Sequence, residues 1–249
     1  RYTISHIDGI FCGNAVGTGG NLGRLMGLMC NLPNSVPAIT VDMQCASALM
    51  SIEIAYAHIL SGIMNSAIAG GIESSSLQPE RVYASGDDRE GPYKVAQFTP
   101  QDQSPLAMLK GAERTIHKYN VTKEDLYPHI IGSHQRASAA LDNLYLQSYI
   151  MPITIDGKRC IDECIRPTMN EKLLSRMKPL LGADSITNAG NACLTHDGAA
   201  FVYLSNKKGP FKIHSVKPWA GNPQFSPEGA LESTEAILKR TGLTMDDID

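Results

Sequence analysis

The first third of the sequence alternates between two apolar patterns, and this alternation restricts the chain to one class of fold. The stretches 6–16, 36–43 and 65–76 are short and rich in β-branched and small apolar residues, which predicts strands. Apolar residues at helical spacing predict helices at 21–32 and 45–60. Strands that alternate with helices are typical of a layered α/β fold with a largely parallel sheet.

The predicted helix after Cys45 is apolar on nearly every face. Its apolar side chains recur at helical spacing at Leu49, Ile52, Tyr56, Ile59 and Ile63. Ala48, Ile54 and further alanines cover other faces. A helix that is apolar nearly all round is normally buried, so we expect this helix to lie inside the protein.

A long polar stretch then interrupts the α/β pattern. From Gln78, nearly thirty residues are polar and rich in turn-forming types, which is too long for an ordinary connection between elements. Helices are predicted at about 106–118 and 123–142. The second of these opens with Thr122 and with Asp125 three residues later, which is close to a capping box.

The remaining pattern completes the predicted domain organisation. A third helix is expected to begin at Thr168, with Glu171 three residues on, and strand character returns at 185–206. Residues 211–223 predict a strand and 227–243 a helix that Gly242 ends. We therefore expect a scaffold over 1–77 and 185–206, an inserted subdomain over 78–184, and the start of a second cycle over 207–249.

Composition and charge exclude several classes of function. The net charge is −3 and the 22 Lys and Arg residues are scattered, so nucleic-acid binding has no electrostatic footprint. No apolar run approaches the ~20 residues that span a bilayer, so no membrane partner is expected. Six cysteines in a chain of 249 residues are too sparse for a disulfide scaffold and favour a reducing, cytoplasmic location.

Three cysteines and a histidine could be considered as zinc ligands. They are Cys160, Cys164, Cys193 and His196. Spacings of three and two intervening residues are common by chance where no rigid zinc knuckle is present. We therefore expect no metal.

The position of Cys45 favours a chemical role. A cysteine between the end of a strand and the first turn of a helix lies near unpaired backbone N–H groups and the positive end of the helix dipole, which favour the thiolate. The same N–H groups could stabilise the oxyanion of a thioester that the sulfur attacks. The alternative is that Cys45 packs as a small buried hydrophobe.

The residues around Cys45 resemble the nucleophile segment of the thiolase family. Cys45 and Ser47 precede the helix, and 69–74 reads Ala-Gly-Gly-Ile-Glu-Ser, as the family's next strand end does. Further stretches resemble family segments in the same order: FCGNAVGTGGNLGR, GAERTIHKYNVTKEDL, SHQRASAA, DECIRPTMNEKLLSRMKP and ITNAGNACLTHDGAA. The resemblance covers nearly all of the 249 residues, and several motifs in one order are far more specific than any one of them.

The resemblance implies a layered α-β-α-β-α fold of two similar halves with a loop domain inserted in the first, and the second half is truncated in this sequence. It implies an acyl-CoA C-acyltransferase in which Cys45 takes the acyl group, for thiolytic cleavage or Claisen condensation of 3-ketoacyl-CoA. Arg166 would lie against the CoA adenine. Ala189, Gly190 and Cys193 would lie beside the pantetheine arm. No cofactor is implied beyond the CoA thioesters, and a homodimer or homotetramer is expected.

The sequence also departs from the family pattern and leaves alternatives open. Ala48 replaces the glycine that usually follows Cys-x-Ser, which would tighten the packing near Cys45. The family's Asn-Glu-Ala-Phe and Gly-His-Pro motifs and its second catalytic cysteine do not occur in the 249 residues. Arg166 could instead form a surface ion pair with Asp162 or Glu163. A non-catalytic protein that binds acyl-CoA or a partner, and a related condensing enzyme such as a ketoacyl synthase, are the other functions considered.

Overall fold

The structure is a computed structural model that describes residues 6–17, 19–100, 104–160 and 162–248. Its strands are β1 (Gly9–Gly13), β2 (Ala38–Val41), β3 (Ser66–Ser74), β4 (Arg81–Val82), β5 (Pro92–Tyr93), β6 (Thr154–Ile155), β7 (Lys158–Arg159) and β8 (Asp197–Ser205). Its helices are α1 (Leu22–Met29), α2 (Ser47–Leu60), α3 (Ala107–Lys118), α4 (Lys123–Leu141), α5 (Leu144–Gln147), α6 (Glu171–Leu174) and α7 (Glu228–Thr241).

The chain forms two compact units. The first comprises Arg1–Ala96, Thr195–Ala220 and Gly229–Asp249, and the second comprises Gln97–Leu194 and Gly221–Glu228. Most of the expected insertion over 78–184 falls within the second unit. Its identification as the family's loop domain stays a prediction.

The first unit is built on a four-stranded sheet with the order β2-β1-β3-β8. β1 pairs in parallel with β2 and with β3, and β8 pairs with β3 in the antiparallel sense. The prediction of an α/β fold with a largely parallel sheet is confirmed. The carboxyl ends of the three parallel strands therefore meet at one edge of the sheet, which we call the carboxyl edge.

Helices cover both faces of β1. Successive side chains of a strand point to opposite faces, so Ile10 and Phe11 face different layers. A Cβ atom at Gly27 of α1 would lie 2.7 Å from Ile10 Cδ1, which shows how closely α1 approaches that face. Phe11 packs instead in a buried cluster with Ala55 of α2. The sheet thus lies between α1 and α2, and both side chains are buried.

The expectation that α2 is buried all round is wrong. Only Ser47, Ser51 and Ala55 of this helix are buried, and Leu49 is 71% exposed. Small residues face the sheet because they allow the helix backbone to approach it closely. Leu49 points away from that contact, and an apolar pattern on all faces could not reveal this difference.

Other element predictions are also wrong. Of the stretch 185–206 predicted as strand, only Asp197–Ser205 forms one, as β8. Residues 211–222 contain no strand, because in the described part of the chain they pair with no other strand, and a strand exists only in such a ladder. The helix expected from Thr168 begins at Glu171, where the Asn170 side chain accepts a hydrogen bond from the Leu173 N–H at 3.1 Å. By contrast, α7 ends as predicted, before Gly242 with φ of 73°.

The regular secondary structure of the second unit is mostly helical. Tyr127, Met169 and Leu174 form its buried cluster, and Ile130 and Met177 pack against this cluster. The predicted start of α4 is confirmed, since Thr122 and Asp125 form a full capping box. Among the described residues, no helix combines the length and apolar character that a membrane span requires.

Candidate active site

Cys45 lies just beyond the carboxyl edge of the sheet. β2 ends at Val41, a 3-10 turn covers Gln44–Ala46, and α2 begins at Ser47. The predicted place between a strand and a helix is thus confirmed, although Cys45 lies in the short turn before α2 and not in its first turn. The side chain is exposed, which contradicts the alternative that Cys45 is a small buried hydrophobe.

Hydrogen bonds hold the backbone on both sides of Cys45. Before it, the Gln44 N–H donates to Asp42 Oδ1 at 2.8 Å. After it, the buried Ser47 hydroxyl donates to the Gln44 carbonyl at 2.6 Å and accepts from the Met43 N–H at 2.8 Å. Gln44 has φ of 50°, a left-handed conformation that is uncommon outside glycine. The Cys45 thiol itself forms no hydrogen bond with any residue that the structure describes.

Two glycines at the carboxyl edge make room for the start of α2. Gly13 and Gly71 are paired across β1 and β3. A Cβ atom at Gly13 would lie 2.5 Å from both the Ser47 carbonyl carbon and the Ala48 nitrogen, and one at Gly71 would lie 3.0 Å from Ala48 Cβ. These glycines let the helix rest directly on the strand ends, two to three residues after Cys45.

A carboxylate organises the loop that follows β1. Glu73, near the end of β3, accepts hydrogen bonds from the Asn14 side-chain amide at 3.0 Å, the Ala15 N–H at 3.0 Å and the Val16 N–H at 2.8 Å. The Asn14 amide also donates to the Ile72 carbonyl at 2.8 Å. Sequence reasoning quoted both residues within motifs but gave neither a role. The available signal was a polar residue at the carboxyl end of each apolar strand.

A second carboxylate joins the strand ends β3 and β8 at the same edge. Asp197 accepts hydrogen bonds from the hydroxyl and the N–H of Ser76, the latter at 2.9 Å, and from the Ser74 hydroxyl at 3.2 Å. Hydrogen bonds from Ser76 are the main reason that the pKa of Asp197 lies below its ordinary value of 3.8. Asp197 thus stays ionised where it holds the two strands in register.

The predicted pantetheine-binding residues lie in one turn of the second unit. The Asn188 side-chain oxygen accepts a hydrogen bond from the Gly190 N–H at 2.8 Å, and the Asn191 side-chain oxygen accepts one from the Asn188 N–H at 2.7 Å. Ala189 and Cys193 are exposed. A Cβ atom at Gly190 would lie 2.7 Å from Leu174 Cδ2, so this turn lies close against the interior of the unit.

Arg166 lies on the surface of the second unit. Its guanidinium donates to the backbone carbonyls of Glu163 and Ile165, and its backbone N–H donates to His134 Nδ1 at 3.2 Å. Within the described ranges, the structure shows no ion pair from Arg166 to Asp162 or Glu163. The side chain is exposed, and among the described residues the guanidinium donates only to backbone carbonyl groups.

The predicted site residues are divided between the two units. Cys45 belongs to the first unit, whereas Arg166, Ala189, Gly190 and Cys193 belong to the second. Among the residues that the structure covers, no group of three or more His, Cys, Asp or Glu side chains could hold a metal ion.

Comparison with known proteins places these features in one family. Residues 3–208 match the family described as the thiolase N-terminal domain. A putative acetyl-CoA C-acetyltransferase VraB of Staphylococcus epidermidis is 31% identical over 99% of this chain and 67% of its own length. VraB of Staphylococcus aureus strain MSSA476 is 30% identical over 99% of this chain and 68% of its own length.

Solved structures agree with the sequence match. An acetyl-CoA acetyltransferase of Bacillus anthracis aligns with a TM-score of 0.81 at 23% identity, over 98% of this chain and 67% of its own, and shows the fold. Human mitochondrial 3-ketoacyl-CoA thiolase, solved in complex with CoA, aligns with a TM-score of 0.83 at 25% identity, over 98% of this chain and 66% of its own length. The chain spans about two thirds of the length of these proteins. With its family match over residues 3–208 and the fold that those enzymes share, the chain belongs to the thiolase family.

Proposed function

We propose that the protein is an acyl-CoA C-acyltransferase of the thiolase type that carries its acyl group on Cys45. The observation that carries this proposal is the exposed Cys45 thiol on a fixed turn at the carboxyl edge of a parallel sheet. Ligands of open α/β sheets bind outside the carboxyl ends of the strands. The names of the Staphylococcus relatives and of the human neighbour support the same class of substrate.

The proposed step is the transfer of an acyl group between two sulfur atoms. The Cys45 thiolate forms a bond to the thioester carbonyl carbon, and an electron pair moves onto the carbonyl oxygen, where backbone N–H groups near Cys45 stabilise it. The pair then returns as the bond to the CoA sulfur breaks, which leaves the acyl group on Cys45. The proton from the Cys45 thiol goes to a base and finally to the CoA thiolate.

We assign CoA recognition to the second unit. In this proposal, the planar Arg166 guanidinium stacks on the adenine, and the turn that contains Ala189, Gly190 and Cys193 lies beside the pantetheine arm. The chemistry needs no metal and no cofactor beyond the CoA thioester. A cytoplasmic location and a homodimeric or homotetrameric assembly stay predictions of the sequence.

Acyl transfer to Cys45 can be tested directly by mass spectrometry. The protein is mixed with acetyl-CoA, quenched with acid and digested, and the acetylated cysteine is identified by peptide mapping. We expect one acetyl group on Cys45, none in the Cys45→Ser variant, and an unchanged result in Cys30→Ser. Cys30 is a suitable control because it is also an exposed free cysteine of the first unit.

Three results would contradict the proposal. Acetylation of another cysteine, or equal acetylation of the Cys45→Ser variant, would remove Cys45 from the chemistry. Tight CoA binding without any acetylation would instead favour a thiolase-like protein that binds acyl-CoA without turnover.

A further inference from the structure

Glu113 on α3 binds a segment that lies far from it in the sequence. Its carboxylate accepts hydrogen bonds from the Ser185 hydroxyl at 3.0 Å, the Ile186 N–H at 2.8 Å, and the N–H and hydroxyl of Thr187 at 3.0 and 2.5 Å. Two carboxylate oxygens thus satisfy four donors from three consecutive residues. All of these groups belong to the second unit.

Glu113 is nearly buried, and its hydrogen bonds stabilise the ionised form of its carboxyl group. Its side chain is 12% exposed, and Thr187 is 4% exposed. Burial raises the pKa of Glu113, but hydrogen bonds from Thr187, Ile186 and Ser185 lower it further, so that it lies below the ordinary value of 4.5. A titratable side chain of the same helix also faces it, since His117 Nε2 lies 3.4 Å from Glu113 Oε1.

The segment that Glu113 binds leads directly into the predicted pantetheine-binding turn. Asn188 follows Thr187 and accepts the hydrogen bond from Gly190, and Asn191 bonds back to the Ile186 carbonyl at 3.0 Å. A displacement of 186–187 would therefore move Asn188 and, with it, the Gly190 backbone. Glu113 is the one side chain of a separate helix shown to bind 185–187 within the described residues.

We propose that Glu113 is a positioning residue for CoA recognition, which fixes the turn at 188–193 through residues 185–187 without touching the ligand. The inference rests on the proposed function, because it takes this turn to be part of the CoA site. It assigns to a carboxylate on α3 a role that neither its helical position nor its neighbours in sequence reveal.

Glu113→Gln is the informative variant, since glutamine has almost the same shape but only one acceptor oxygen. Its amide NH₂ would face backbone N–H donors, which cannot both be satisfied. We expect CoA to bind about tenfold more weakly in calorimetry, which is the scale of one lost hydrogen bond to a charged group. The turnover rate at saturating acetoacetyl-CoA and CoA, and the rate at which iodoacetamide alkylates Cys45, should not change.

A second variant and a control make the test robust to misfolding. Thr187→Val removes one donor to Glu113 and should also weaken CoA binding, while Thr187→Ser retains the hydroxyl and should restore it. Glu124→Gln is the matched control, because Glu124 is an exposed glutamate of the same unit and should leave affinity unchanged. If Glu113→Gln does not fold, the comparison of valine with serine at 187 decides.

The outcomes separate the inference from the proposed function. Unchanged CoA affinity in both Glu113→Gln and Thr187→Val, with or without a lower melting temperature, would overturn the positioning role. Equal losses in turnover and in Cys45 alkylation would also overturn it, since they indicate a general structural defect. If the wild-type protein binds no CoA, the proposed function fails, and the inference fails with it.

Discussion

The Asn14 side-chain amide donates a hydrogen bond to the Glu73 carboxylate at 3.0 Å, although 59 positions separate the two residues. Asn14 follows β1 and Glu73 lies near the end of β3, so the contact closes the loop after β1 onto the neighbouring strand. Glu73 also accepts the Ala15 and Val16 N–H groups. The loop after β1, at the carboxyl edge, is therefore held by one half-buried carboxylate.

Replacement of Glu73 by alanine should destabilise the protein by about 1–3 kcal/mol, because it removes the acceptor of two backbone N–H groups and one of the two acceptors of the Asn14 amide. Urea denaturation measures the loss. Glu80→Ala is the control, since Glu80 is an exposed glutamate with no hydrogen bond or ion pair to any described residue. Equal denaturation midpoints for the two variants would show that the Glu73 contacts contribute nothing to stability.

Gly13→Ala should cost about 1–3 kcal/mol, because the added methyl group would overlap backbone atoms of Ser47 and Ala48. The strain is expected to shift the start of α2, so the alkylation of Cys45 by iodoacetamide should change as well. Gly198→Ala in β8 is the comparison, since a Cβ atom there would meet nothing within 4 Å. A Gly13→Ala protein with unaltered stability and unaltered Cys45 alkylation would refute the close contact.

The loop between β4 and β5 contains an aspartate, Asp87, whose pKa is lowered by a neighbouring arginine. Arg89 donates two hydrogen bonds to Asp87, at 2.8 and 2.7 Å, and lies 4.2 Å above the Tyr83 ring. These bonds, with one from the Arg89 N–H, lower the pKa of Asp87 from 3.8 to about 2. Because the pKa is lowered in the folded state, Asp87 stabilises the fold above pH 3.8, and this contribution is lost as the pH falls toward 2.

Carboxyl carbon NMR can follow this titration. Near pH 3, Asp87 should remain largely ionised in the wild type. In the Arg89→Gln variant the pKa of Asp87 should return toward 3.8, so that Asp87 becomes largely protonated near pH 3. Identical titration curves in the two proteins would mean that the guanidinium does not hold the carboxylate in solution.

Arg166→Ala should weaken CoA binding by ~1–2 kcal/mol through the loss of adenine stacking. Calorimetry with CoA measures the change, and Cys45→Ser should bind CoA nearly as the wild type does. Arg159→Ala is the matched control, because Arg159 is an exposed arginine of the same unit. If Arg166→Ala and wild type bind CoA equally, Arg166 has no part in recognition.

Much of the first unit could be predicted from local pattern. β1, β2 and β3 are short apolar runs, and the turn at Cys45 falls where one run ends and a helical period begins. Such signals are read within about ten residues and need no knowledge of distant partners. The capping box at Thr122 was predictable for the same reason.

The wrong predictions share a physical cause: the local sequence pattern does not show which distant part of the chain a segment packs or pairs with. Residues 211–222 have strand composition, but a strand also needs a neighbour, and the composition cannot show whether one is present. Leu49 fits a buried helix equally well whether or not another layer covers it. Glu113 looks like an ordinary surface glutamate, because its partners at 185–187 are more than seventy positions away.

Because Ala48 and Gly71 are in close contact, the residue that fits at one of these positions depends on the residue at the other. The space between α2 and β3 admits one methyl group, which Ala48 occupies. With glycine at 48, an alanine at 71 would lose its 3.0 Å contact with the Ala48 methyl group and keep the 3.1 Å contact with the Gly13 carbonyl oxygen, so the cost of a change at 71 depends on the residue at 48. The two sites should therefore drift as a pair in evolution, and a double-mutant cycle of Ala48→Gly and Gly71→Ala would measure their coupling as a departure from additivity.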